Sequence, residues 1–100
     1  MINKIIAIDY DDTISLNVEA WTDIIKLFHS LGASVYIVTY RHSTQFKDMV
    51  LDIPNVKDVI FTGAVGKRKY CEDIGIYVDV WIDDSPESIL FDYKELMARF

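Results

Sequence analysis

The residues Asp9-Tyr10-Asp11-Asp12-Thr13 place three carboxylates and a hydroxyl directly behind the apolar run Ile5-Ile6-Ala7-Ile8. Asp9 and Asp11 are two apart, so at a strand end they share one side until the chain turns. Clustered carboxylates repel one another and raise their pKa values, and a bound divalent cation relieves the repulsion. No cysteine or histidine stands beside them, so these hard oxygen donors suit magnesium better than zinc or copper. A second acidic pair, Asp83-Asp84, ends another apolar run, and Asp83 would complete the pocket. Magnesium keeps several of its waters, so two or three protein ligands suffice.

A carboxylate beside such a cation can attack phosphorus and form an aspartyl-phosphate. The negative oxygens of the transferred group then need neutralising. Lys67 is a candidate for that task, and Thr39 can donate a hydrogen bond to the same oxygens. Asp11 can protonate the leaving oxygen and later deprotonate water. Arg41 carries a fork that matches phosphate, and it follows Thr39 closely, as does His42.

Four apolar runs must position these groups. Ile5 to Ile8, Val35 to Val38, Val59 to Phe61 and Val78 to Ile82 read as strands. Continuous apolar runs suit parallel strands covered on both faces. Val18, Trp21, Ile24, Ile25, Phe28 and Leu31 recur at helical spacing, with Asn17 as N-cap and Gly32 just beyond the end. Ser43 can cap a short helix that buries Phe46, Met49 and Val50 before Pro54 stops it. Lys67 to Ile74 reads as a helix with Tyr70, Cys71 and Ile74 as its apolar stripe, closed by Gly75. Pro86 opens a further helix, and Tyr93 to Phe100 reads as the last. The resulting β-α-β-α-β-α-β-α order argues for a parallel sheet with helices on both faces. Ligands of such sheets bind outside the carboxyl ends of the strands. Asp9, Asp11, Thr39, Arg41, Asp83 and Asp84 all fall there.

One hundred residues make one domain, 1–100, and 51% hydrophobic residues are enough for a single core. A net charge of −6 leaves no extended basic surface for nucleic acid. The one cysteine, Cys71, allows no intrachain disulfide, which suits a reducing compartment. No apolar run approaches a membrane span or a signal peptide, so the expectation is a cytoplasmic protein with no membrane partner. Several residues read more plainly: Asp12 as solvent-facing, His29 as lying off the apolar stripe, and Trp21, Phe28 and Cys71 as core.

The motifs together resemble the haloacid dehalogenase-like (HAD-like) superfamily. Asp9-Tyr10-Asp11-Asp12-Thr13 behind its apolar run looks like the first motif, Asp-x-Asp-x-Thr. Val35 to Thr39 resembles the second, an apolar strand ending in a hydroxyl, and Val80-Trp81-Ile82-Asp83-Asp84 resembles the acidic fourth. Lys67, or its near competitor Lys69, would supply the lysine of the third. The likeness runs from residue 5 to residue 84 in the right order. It implies a three-layer α/β/α sandwich of Rossmannoid type, with a minimal parallel sheet ordered 3-2-1-4 and no cap domain. It implies a magnesium-dependent phosphomonoester hydrolase in which Asp9 is nucleophile and metal ligand. Asp11 would be the general acid/base and a ligand through its carbonyl, and Asp83 would complete the metal site with Asp84 in support. Thr39 and Lys67 would hold the phosphoryl group, Thr13 would orient the first loop, and Arg41 would touch the substrate. An acid at position 11 fits phosphatases and not dehalogenases. A capless site implies a phosphorylated small molecule or a projecting phosphate on a larger substrate, or a second copy of the chain acting as a lid.

Two other readings remain open. Receiver-like signalling modules share the sheet, the acidic pocket, the hydroxyl and the lysine, but carry the phosphorylated aspartate after the third strand. Here that position reads Phe61-Thr62-Gly63. A non-catalytic, partner-dependent phosphate-binding protein is the other.

Overall fold

The computed structural model describes residues 2–98. Its elements run β1 (Ile5–Ile8), a 3₁₀ turn (Ile14–Leu16), α1 (Val18–Ser30), β2 (Ser34–Thr39), β3 (Val56–Phe61), α2 (Lys67–Asp73), β4 (Val80–Ile82), α3 (Glu87–Leu90) and α4 (Tyr93–Ala98). The strands form one parallel sheet in the order β3-β2-β1-β4, a small α/β arrangement compatible with a Rossmann-like fold. The expected strand order is therefore the observed one. Among the described residues no helix is long and apolar enough to cross a membrane.

The period-two geometry of a strand explains the core. Ile6 and Ile8 of β1 join Val35 and Ile37 of β2 in one buried cluster, where Ile25, Trp21 and Phe28 of α1 meet them. Ala7, Tyr36 and Val38, the alternate residues, join Ile60 and Cys71 of α2 in a second cluster. Both faces of the central strands are thus buried, which is why β1 and β2 read as unbroken apolar runs rather than alternating ones. Burial pushes the Cys71 thiol up to about 11, so this residue is inert packing.

Local signals set the helix ends. The Asn17 side chain accepts from the Ala20 N–H at 3.0 Å, and Gly75, at φ 86°, ends the turn after α2 as a glycine can. Two expected apolar positions, Leu31 and Ile74, lie at helix ends and are exposed. The strand boundaries also move: β3 begins earlier, at Val56, and β4 starts only at Val80. Arg99 and Phe100, the end of the expected last helix, lie outside the described residues.

The helix expected after Ser43 does not form: residues 40–55 run as turns, with Phe46 and Val50 exposed. Side chains have taken the hydrogen bonds a helix would use. Arg41 Nη1 donates to the Gln45 carbonyl at 2.8 Å, and the Val50 N–H donates to the Tyr10 hydroxyl at 2.8 Å. The Met49 N–H is turned to Phe46, three residues back. Met49 and Ile53 still pack on the first cluster, so the segment covers the core without helical order.

Ile37 is fully buried at the centre of the sheet, whereas Leu27 is exposed on the outer side of α1. Ile37→Ala is expected to lower stability by about 2–5 kcal/mol in urea unfolding, through lost burial and the cavity left behind. Leu27→Ala is expected to change it by no more than about 0.5 kcal/mol.

Candidate active site

The strand order reverses at β1, and the crevice of such a sheet opens outside the carboxyl ends there. Asp9 follows β1, and its N–H extends the ladder by donating to the Ile82 carbonyl at 2.9 Å. Asp83 follows Ile82, so the two aspartates emerge side by side from adjacent strands. Behind Asp9 the chain must turn at once. Asp12 takes the left-handed conformation at φ 58°, which aspartate tolerates better than most residues, and its N–H donates to Ser15 Oγ at 2.9 Å. The turn brings buried Thr13 back so that its Oγ1 lies 3.5 Å from Asp9 Oδ2.

Lys67 arrives from β3. The turn after Phe61 is held by Thr62 Oγ1 donating to the Val65 carbonyl and by the Gly66 N–H donating to Asp92 Oδ1, at 2.8 and 2.7 Å. At Gly66 a Cβ would meet the Leu90 and Phe91 backbone at 3.3 Å, so α3 and the start of α2 approach as closely as they do because no side chain intervenes. Lys67 then opens α2 with 2% of its surface exposed. Its Nζ lies 2.8 Å from Asp9 Oδ1 and 2.6 Å from Asp83 Oδ2. Lys69 is exposed, in a separate depression lined by Arg68 and Glu72. Of the two lysines considered, Lys67 is the one in the pocket.

Asp83 is fixed further. The Ser85 N–H donates to its Oδ1 at 2.9 Å, and Ser88 Oγ lies 3.3 Å from its Oδ2. Asp84 completes an acidic group: Asp9, Asp83 and Asp84 each offer an oxygen within 4.8 Å of the others. Three carboxylates against one ammonium leave two negative charges when all are ionised. The pocket lining contains neither histidine nor cysteine. A donor set of oxygens alone with a residual double negative charge fits a hard divalent cation. The Asp9 carboxyl registers its burial first and the neighbouring carboxyls second. Burial pushes its pKa from 3.8 up to about 7, the Asp84 carboxyl adds to the rise, Lys67 opposes it, and Asp83 contributes a smaller rise.

Asp11 takes another direction. It lines the same pocket, but Arg41 grips both its oxygens, Nε to Oδ2 at 2.9 Å and Nη2 to Oδ1 at 2.6 Å. The same guanidinium bonds Asp48 through Nη1 and, at 3.1 Å, through Nη2. Arg41 is thus occupied by two carboxylates and a carbonyl, and its visible task is to fix Asp11. Thr39 is fully buried at the end of β2, its Oγ1 accepting from the Arg41 N–H at 3.2 Å, and it does not line the pocket.

Asp9, Lys67, Asp83 and Asp84 are therefore brought together, Asp11 stands at the rim with Arg41, and Thr13 supports Asp9. Five lining residues carry no signal in the sequence: Tyr40, Ser85, Ser88, Tyr93 and Leu96. The Tyr40 ring lies 5.8 Å from Lys67 Nζ, and only its position next to Thr39 could have suggested it. Protein-family models, characterised proteins and solved structures yield no match to this chain.

A raised acid pKa means that the folded state holds its proton more tightly than the unfolded chain does. In metal-free buffer the Asp9 contribution to stability is therefore intact below pH about 4, falls as the pH rises to about 7, and is level above that. Asp9→Asn removes this loss. In chelator, its stability relative to wild type is expected to rise by about 2–4 kcal/mol between pH 4.5 and pH 7.5. Parallel denaturant titrations check this, and a difference that stays flat with pH contradicts it.

Proposed function

We propose that the protein is a phosphomonoester hydrolase of the haloacid dehalogenase-like type, dependent on magnesium and acting through Asp9. The observation that carries the reading is the buried Lys67 ammonium bonded at once to Asp9 and Asp83 inside an acidic pocket. A structural ion pair needs one carboxylate, whereas here two carboxylates share one lysine and a third, Asp84, lies beside them, leaving charge that a divalent cation would balance. The order of the motifs in the chain, which resembles that family, supports the same reading.

In the proposed reaction an Asp9 carboxylate oxygen attacks phosphorus in line with the ester oxygen. The bond from phosphorus to that oxygen breaks, and Asp11, which takes up a proton when it leaves the Arg41 fork, supplies the proton the departing oxygen needs. Water then attacks the phosphorus of the aspartyl-phosphate, Asp11 accepts the water proton, and the bond from Asp9 to phosphorus breaks to release phosphate. Lys67 holds Asp9 in place and faces the phosphoryl oxygens with its charge. Arg41 keeps Asp11 at the rim, and Thr13 orients the loop that carries both aspartates. Asp9, Asp83 and Asp84, with the carbonyl of Asp11, would hold magnesium. When bound it would neutralise phosphoryl charge and the mutual repulsion of the carboxylates.

A receiver-like signalling role is less well supported. β3 ends in Phe61-Thr62-Gly63, without the carboxylate such a module phosphorylates.

The test is phosphate release from acetyl phosphate, phenyl phosphate, sugar phosphates and nucleotides, with magnesium and with chelator. Turnover is expected only with the cation. Asp9→Asn is expected to lower kcat/KM by at least about a thousandfold. Turnover that survives chelation, or that survives in Asp9→Asn, overturns the proposal.

A further inference from the structure

We infer that the pocket contains a subsite for an aromatic group carried on the phosphate, formed by Tyr40, Tyr93 and Leu96, an inference that rests on the hydrolase reading above. The pocket has two unlike walls. One comprises the charged residues Asp9, Lys67, Asp83 and Asp84, and the other comprises Tyr40, Tyr93 and Leu96.

The second wall is built, not draped. The Tyr40 hydroxyl donates to the Phe91 carbonyl, the Tyr93 N–H donates to the Ala64 carbonyl at 2.8 Å, and Asp92 accepts from the Gly66 N–H at 2.7 Å. Three consecutive residues leading into α4 are thus tied to the loops that follow β2 and β3. α4 itself buries no residue, and Tyr93 keeps 52% of its surface exposed. A helix anchored by its first turn, with its aromatic residue open at a pocket mouth, is placed to meet something other than the core.

Size and distance narrow the occupant. The cavity measures about 310 Å³, at the lower end of ligand sites, room for a phosphate and little more than one ring. The Tyr40 ring stands 5.8 Å from the ammonium that holds Asp9, so a group attached next to a phosphate at Asp9 lies against it. The Tyr40 hydroxyl is already committed to Phe91. The wall therefore selects by ring packing and apolar burial, which favour a flat aromatic group over a polyol.

Intrinsic reactivity differs among phosphate esters, so the readout is a ratio compared between variants. With the full chain and magnesium, kcat/KM is measured for phenyl phosphate, a nucleoside 5′-monophosphate, glycerol phosphate and acetyl phosphate, which has no ring. Tyr93→Ala and Leu96→Ala are each expected to lower the phenyl-to-acetyl ratio by about tenfold, mainly through KM. The glycerol-to-acetyl ratio is expected to hold, as are all ratios in Leu27→Ala. A parallel fall for the nucleotide assigns the ring to a base, and a fall for phenyl phosphate alone assigns it to an aryl ester. Unchanged ratios in both pocket variants, with acetyl phosphate still hydrolysed, overturn the subsite and leave the hydrolase standing. No hydrolysis of any ester by the wild type overturns both.

Discussion

A lysine side chain with 2% of its surface exposed cannot keep its charge without partners, because removing an ammonium from water costs several kcal/mol even after relaxation. Lys67 meets that requirement with Asp9, 58 residues away, and Asp83, 16 residues away. The three groups come from the end of β1, the end of β4 and the first turn of α2. Bringing them together requires that β4 pair with β1 in the register Ile8 to Ile82, and that the turn after β3 deliver α2 over the same strand ends. The Gly66 contact with the backbone of Leu90 and Phe91 and the Asp92 bond to Gly66 set that turn. Much of the architecture around the site can be understood as the scaffold of one buried cation and its carboxylates.

A second charged centre organises the other half of the rim. Arg41 joins Asp11, from the loop after β1, to Asp48 and the Gln45 carbonyl in the crossover between β2 and β3. With the Tyr10 hydroxyl bonded to the Val50 N–H, this network holds residues 40–55 in place without a helix. The two centres differ in character. The Lys67 group is buried and short of positive charge, while the Arg41 group is more open and has a guanidinium shared by two carboxylates. The first is suited to holding a cation, and the second to holding a side chain still.

The strands and the acidic residues at their ends were legible because they depend on short-range regularities. Unbroken apolar runs mark β1 and β2, and the pocket carboxylates fall where the runs of β1 and β4 stop. The observed sheet order is the one the resemblance implied, and a parallel βαβ chain leaves few alternatives to it. The helix after Ser43 was misread because its apolar spacing is real but its backbone bonds are diverted to Arg41 and Tyr10, partners no local window contains. Tyr40, Tyr93 and Leu96 were missed for a related cause. A strand-end tyrosine and an exposed helical tyrosine look ordinary until Phe91, Asp92 and Tyr93 are seen tied to the β2 and β3 loops.

The charge of the whole chain bears on how the proposed chemistry would proceed. At −6, the protein offers no long-range attraction to a phosphate ester, and a Debye length of about 8 Å confines any attraction to the site itself. Within the site, Lys67 is already shared by two carboxylates, so it cannot by itself attract a dianion. In the proposed chemistry, recognition would be assembled from a cation balancing Asp9, Asp83 and Asp84 and from uncharged contacts with the rest of the substrate. The wall of Tyr40, Tyr93 and Leu96 has that uncharged character. It lines the same cavity as the acidic cluster that would hold a cation, so on the proposed reading both parts of a phosphate ester, the anion and the group it carries, would find unlike surfaces there.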